Sequence, residues 1–155
     1  MTNIIGIDPG ISGAIVSLNN VELLVYDMPV YEITKGKSLR KRIDIQKLIA
    51  IIENERPDHA YVEQVSAQFG NGAASAFTFG QVVGIIEACL VACKVPVTYV
   101  SSMRWKKDMA CTADKDAARF RAGQLLPQWS HNWDRKKDHN RAEAALIALW
   151  GKQRK

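Results

Sequence analysis

The chain is poor in cysteine and histidine, with three of each in 155 residues. Cys89, Cys93 and Cys111 cannot all pair, and none sits in a C-x-x-C or a Cys/His cluster of zinc spacing, which argues against a disulfide framework or a structural zinc site. Cys89 and Cys93 stand one helical turn apart and read as small core residues. His59 and His131 have no carboxylate partner at helical spacing and read as structural. No run of ~18 apolar residues is present, and Asp8 interrupts the apolar amino terminus, so neither a membrane span nor a secretory leader is expected. A cytoplasmic protein is expected instead. Repeats, low-complexity stretches and linker-like segments are also missing, which leaves one domain over residues 1–155.

What is present is a core-forming composition, 47% hydrophobic, with a net charge of +5. The positive charge is clustered. Lys35, Lys37, Arg40, Lys41 and Arg42 fall within eight residues, Arg104, Lys106 and Lys107 form a second group, and the chain ends in "GKQRK". One such run is ordinarily a solvated face. Three on a chain this short point to phosphate contact and a polyanionic partner.

Turn residues and periodicity divide the chain. "NIIGID", "SGAIVSLN" and "VELLVYDM" read as three strands of an antiparallel meander with short connections. Residues 29–42 read as a long, polar, basic loop. "DIQKLIAIIENE" places Ile45, Leu48, Ile51 and Ile52 on one helical face behind a capping Asp44. A strand, "PDHAYVEQV", follows; then comes a Gly-containing loop, a long apolar helix over residues 74–93, and a fifth strand, "VPVTYV". Helices fill the rest. A meander, then strand–helix alternation, then helices alone indicate an α/β fold with a central mixed five-stranded sheet flanked by helices, the element order of the ribonuclease H-like fold.

Two carboxylates end predicted strands, Asp8 in "IIGIDPG" and Glu63 in "AYVEQV". A third group, "KKDHNRAEAALIALW", holds Asp138, His139 and Glu143 at the start of the last helix. His139 and Glu143 share a face at i, i+4, whereas Asp138 lies about 140° from Glu143 and reaches the same place only as a cap or through an unwound first turn. Carboxylates converging from two strands and a helix repel unless a cation joins them. Mg²⁺ suits, being hard and oxygen-seeking, and two such ions ~3.5–4 Å apart activate a water and stabilise the leaving oxygen of a phosphodiester. Each residue also has a plain structural reading. Asp8 holds the Asp-Pro-Gly turn, Glu63 pairs with a nearby cation, Asp138 is an N-cap and His139 is exposed. Glu143, between alanines of an apolar helix, fits the structural reading least.

"IIGIDPGISGAI", "YVEQV", "ASAFTFGQVVGIIEACL", "VPVTYVSSMRWKK" and "RAEAALIALWG" stand in the order and spacing of the RuvC-like Holliday junction resolvases, which the chain resembles over nearly its whole length. The stretch from "WKK" through "DKDAAR" to "LLP" resembles the phage and plant organellar branch more than the chromosomal bacterial one. The resemblance implies an RNase H-like fold, a homodimer, and Mg²⁺-dependent paired nicks across a four-way DNA junction, with Mn²⁺ able to substitute and 5′-phosphate and 3′-hydroxyl products. It matches Asp8, Glu63 and Glu143 to catalytic, metal-binding acids. The family pattern puts a further acid three residues before the last one, where this chain has Asn140. His139 is the favoured replacement as metal ligand or water activator, with Asp138 close behind.

The remaining expectations concern DNA. Lys106, Lys107 and Lys115 are the best phosphate candidates, with Arg104, Lys35, Lys37, Arg40 and Lys41 beside them. Phe69, with Gly70 and Gly72 close after it, either wedges between bases at the junction centre or folds back onto its own domain. The apolar helix after Glu63 is either core or a dimer seam, and a two-fold substrate favours the seam. Two rival functions stand beside resolution. One is an RNase H-like nuclease for branched, flapped or hybrid duplexes; the other is an inactive junction-binding protein, for which Asn140 is the best argument. A two-lobed nucleotide-binding fold of the sugar-kinase type is excluded by the short chain and the missing second phosphate loop.

Overall fold

The computed structural model describes residues 1–66 and 72–154, the side chain of Lys115 excepted. Seven strands and five helices follow in the order β1 (Ile4–Asp8), β2 (Ala14–Leu18), β3 (Leu23–Asp27), β4 (Val30–Lys35), β5 (Ser38–Ile43), α1 (Ile45–Glu55), β6 (His59–Gln64), α2 (Ala73–Ala92), β7 (Val97–Ser101), α3 (Ser102–Asp108), α4 (Lys115–Leu125) and α5 (His139–Lys152). Two 3₁₀ segments, Pro127–Trp133 and Lys136–Asp138, join α4 to α5. The main sheet has five strands in the order β3-β2-β1-β6-β7. The β1–β2 and β2–β3 pairs are antiparallel, and the β1–β6 and β6–β7 pairs are parallel. The expected mixed five-stranded sheet is therefore present.

Period-2 alternation along β1 sorts its side chains between two cores. Ile5 and Ile7 join Leu48 and Ile52 of α1 and Val82, Ile86 and Leu90 of α2 on one face. Ile4 lies in the other cluster, with Ala144, Ala145, Leu146 and Ala148 of α5. Gly6 faces α5 as well. A Cβ on Gly6 would fall 2.3 Å from the Ala144 carbonyl and the Ala148 nitrogen, so the backbone of α5 rests directly on β1. Only a residue without a side chain allows that approach. The small residues of "AEAALIA" and Gly6 are thus one packing device, and it fixes where Glu143 stands relative to β1.

Residues 29–42 differ from expectation. They are no loop but the greater part of a second, two-stranded sheet, β4 paired with β5 from Val30–Ile43 at its base to Lys35–Ser38 at its tip. Gly36, at φ +63°, supplies the left-handed residue of the turn. The basic residues hid the alternation, because most of both strands is exposed and carries no apolar face. Asp44 N–H donates to the Pro29 carbonyl at 2.9 Å, closing the hairpin base, and Asp44 caps α1 by accepting from the Lys47 N–H at 3.1 Å, as expected.

Helix α2 buries Val82, Ile86, Cys89 and Leu90 against the sheet and leaves Phe77 and Val91 exposed. By length and composition it is apolar enough to cross a membrane, although no uninterrupted apolar run marks it, since Gln81 and Glu87 fall within it.

Candidate active site

Ile7 pairs with Val62 across the parallel β1–β6 ladder, which sets Asp8 and Glu63 level at the carboxyl ends of neighbouring strands. Alternation carries both to the same face. Asp8 follows Ile4 and Gly6, and Glu63 follows Tyr61, which packs in the α5 cluster. In α5, which crosses that face, Glu143 is the residue just before the Ala144 that touches Gly6. Three carboxylates far apart in sequence thereby share one edge of the sheet, the place where open α/β sheets build their sites.

Their electrostatics record the convergence. Asp8 is buried, and burial, reinforced by the charges of Glu143 and Glu63, pushes its carboxyl well above the ordinary range while Lys106 opposes the shift. Burial also raises Glu63, with Glu143 adding to it, against the Trp105 hydrogen bond and the Lys106 charge. Lys106 Nζ lies 3.2 Å from Glu143 Oε1 and 5.3 Å from the Trp105 ring centre. The fully buried Trp105 donates its indole N–H to Glu63 Oε2 at 2.7 Å. Asp8 itself has no side-chain hydrogen bond or ion pair among the described residues. Lys106 was expected on a phosphate; it is also the cation lodged among the acids.

Oxygen donors alone, one of them buried and unpartnered, are the chemistry a hard divalent cation takes. The set is not drawn onto a single point, however. Among the described residues no group of three or more His, Cys, Asp or Glu side chains stands close enough to hold a metal ion. Lys106 on Glu143 and Trp105 on Glu63 are the contacts that hold the carboxylates in this arrangement.

Both candidates for a fourth position make contacts within the turn that leads into α5. Asp138 is buried and taken up by Arg135, whose Nε and Nη2 donate to Oδ2 and Oδ1 at 2.9 and 3.0 Å and whose backbone N–H adds a third bond at 3.1 Å. Arg141 stands 3.7 Å away on the other side. Asp138, expected as a catalytic acid, is held by these contacts in the turn into α5. His139, expected as a metal ligand, has Nδ1 3.2 Å from the Lys136 carbonyl in the preceding 3₁₀ turn. Asn140 donates its amide to the Ser12 carbonyl at 2.5 Å, tying the turn after Asp8 to α5. That turn is tight, for a Cβ on Gly13 would meet the Asp8 carbonyl at 2.0 Å.

The basic candidates divide. Arg104 is engaged by Asp108 at 2.9 Å, a carboxylate that also receives Trp150 and Arg154. Lys107 is exposed on α3. Lys35, Lys37, Arg40 and Lys41 are exposed on the hairpin, which leaves the sheet from β3, whose Asp27 pairs with Ala14, itself paired with Asp8. The hairpin therefore rises from the carboxylate edge. Lys115 opens α4, its side chain outside the described residues, as is Phe69. Sequence reasoning missed Trp105, Arg135 and the hairpin; Arg135 and Asp138 at i, i+3 were the one legible signal.

A five-stranded mixed sheet with helices on both faces and acids at the ends of β1, β6 and in α5 is the RNase H-like fold. No family model matches the chain. Two curated proteins, the crossover junction endodeoxyribonucleases RuvC of Wolbachia pipientis wMel and of Wolbachia sp. subsp. Drosophila simulans (strain wRi), are each 29% identical over a 157-residue alignment covering 96% of this chain and 93% of theirs. Solved structures give the same frame. T. thermophilus RuvC in complex with a Holliday junction substrate superposes with a TM-score of 0.66 at 16% identity, covering 97% of this chain and 92% of that one. The yeast mitochondrial Holliday junction resolvase Ydc2 superposes at 0.58 and 16% identity, covering 96% and 77%. At these identities the superpositions speak for the fold, and the sequence matches add a similarity to RuvC over nearly the whole length of the chain.

Proposed function

We propose that the protein is a Mg²⁺-dependent endonuclease that resolves four-way DNA junctions by paired nicks, working as a homodimer. The observation that carries this reading is the meeting of Asp8, Glu63 and Glu143 at one edge of a RuvC-like frame. Asp8, Glu63 and Glu143 hold the divalent cation, one or two ions per site, with Mn²⁺ an acceptable substitute. When bound, the cation supplies charge for a phosphodiester oxygen and acidifies water. Trp105 orients Glu63. Lys106 neutralises Glu143 through the 3.2 Å ion pair, and its ammonium would serve a phosphate brought to the same edge. Lys107, Lys115 and the hairpin cations position the DNA backbone. Cleavage leaves 5′-phosphate and 3′-hydroxyl ends, in a single nuclease domain acting in the cytoplasm.

The dimer rests on α2. This 20-residue apolar helix buries four residues and leaves Phe77 and Val91 exposed, apolar surface for a partner to cover. A second copy on that face would relate two sites by a two-fold axis, as a two-fold substrate requires.

Incubation of the protein with a synthetic four-way junction, a flap, a linear duplex and an RNA–DNA hybrid in Mg²⁺ tests the reading. Symmetric cutting of the junction in preference to the others is expected, with Asp8→Asn binding but not cutting. Equal cutting of all four favours a general RNase H-like nuclease, and tight binding without cutting leaves a junction-binding protein.

A further inference from the structure

Between the hairpin and α2 lies a groove of about 650 Å³ whose occupant the proposed reaction leaves unassigned. One wall is β5, with Arg40, Lys41 and Arg42; the other is the amino-terminal half of α2, with Ser75, Thr78 and Phe79. Its end is formed by residues 10–12, the turn that leaves Asp8. The Arg42 guanidinium donates to Gln81 of α2, tying the two walls together. Among the described residues no carboxylate lines the groove. Helix α2 opens on Gly72 with no side-chain cap, so the N–H groups of its first turn add to the positive field.

We infer that this groove is a subsite for single-stranded DNA, taking one or two unpaired nucleotides of the strand whose phosphate reaches the carboxylates. A cationic wall facing an aromatic ring and hydroxyls is the combination that binds single strands, with phosphates on the cations and a base stacked on the ring. Volume sets the occupant. A cavity of this size takes a ligand on the order of one or two nucleotides, whereas a duplex, whose major groove alone is ~12 Å wide, does not enter. The 10–12 turn supplies the path. It passes from the α5 face, where Asp8 points, to the opposite core, which Ile11 joins, so a strand leaving the carboxylates over this turn drops into the groove. The inference rests on the nuclease reading for its substrate, and on the groove itself for its site.

The test is the binding of fluorescein-labelled hexathymidylate to the full-length protein, followed by anisotropy across a salt series. Arg40→Ala with Lys41→Ala, both exposed side chains, is expected to weaken binding about tenfold and to flatten the salt slope by about 1.4, the contribution of two phosphate contacts on a single strand. Phe79→Leu keeps an apolar side chain but removes the stacking face, and a further loss of about tenfold is expected. Lys94→Ala, beyond the far end of α2, is the charge control and leaves binding as it was. Affinity and slope unchanged in the Arg40/Lys41 variant would overturn the subsite, as would a loss no larger than that of Lys94→Ala. Junction cleavage by the wild-type protein is scored in parallel. Cutting with an unaltered Arg40/Lys41 variant refutes the subsite alone, and groove binding without cutting refutes the nuclease reading alone.

Discussion

Asp8 is a buried carboxylate with two other acids acting on it and only Lys106 opposing, and the protein carries that cost for its site. Replacement by asparagine keeps the shape and removes the charge. An unpaired buried polar group costs about 1–3 kcal/mol, and a charged one more; Lys106 offsets part, so a gain on the order of 1 kcal/mol is expected from Asp8→Asn at pH 7. For a chain of this length that is an increase in Tm of about 2–4 °C. The sign with pH follows from the raised carboxyl. Folded Asp8 holds its proton more tightly than unfolded Asp8, so the penalty is absent below the ordinary aspartate range. It grows as pH rises from there and is complete above the folded value. The advantage of Asp8→Asn therefore shrinks on acidification. Thermal unfolding in chelator at pH 7 and pH 4, followed by circular dichroism, measures both effects. Mg²⁺ adds a second arm, because a ligand at a hundredfold its Kd stabilises its site by about 2.7 kcal/mol, a gain expected for the wild type and lost in Asp8→Asn. A variant that melts at or below the wild type at pH 7, with no narrowing at pH 4, would refute the reasoning.

Three further outcomes are expected. Trp105→Phe removes the N–H that fixes Glu63, a bond to a charged acceptor worth about 1.5–3 kcal/mol, and the Mg²⁺ concentration for half-maximal junction cleavage should rise about tenfold or more in a metal titration. Arg135→Ala strips Asp138 of its main partner, whose hydrogen bond holds that carboxyl below the usual range. The variant should be less stable at pH 7, and urea titrations should show the gap closing as pH falls through the folded value, since stability from a lowered carboxyl exists only while it is ionised. Gly6→Ala drives a methyl to 2.3 Å from the backbone of α5, and overpacking of about 1–3 kcal/mol or more should appear as a lower Tm together with lost cleavage, because Glu143 moves with the helix.

The division between sequence and structure runs through particular residues. Alternation in "IIGID" and "AYVEQV" is local, so the sequence alone determined that Asp8 and Glu63 end strands, that α1 begins behind Asp44, and that Glu143 rides an apolar helix. The motif order was enough for the RuvC-like frame. Tertiary structure decided everything that depends on distance between segments. The parallel pairing of β1 with β6 set Asp8 beside Glu63, and the contact of Gly6 with Ala144 and Ala148 set the height of Glu143. Lys106 lies among the acids because α3 starts where β7 ends, next to Glu63. Trp105 reads as one more core aromatic until its indole N–H meets a carboxylate 42 residues away. Asp138 and His139 show the limit most plainly. Helical spacing says which side chains share a face, but that Arg135 engages Asp138 across one 3₁₀ turn, and that Asp138 is buried there, only the folded chain shows.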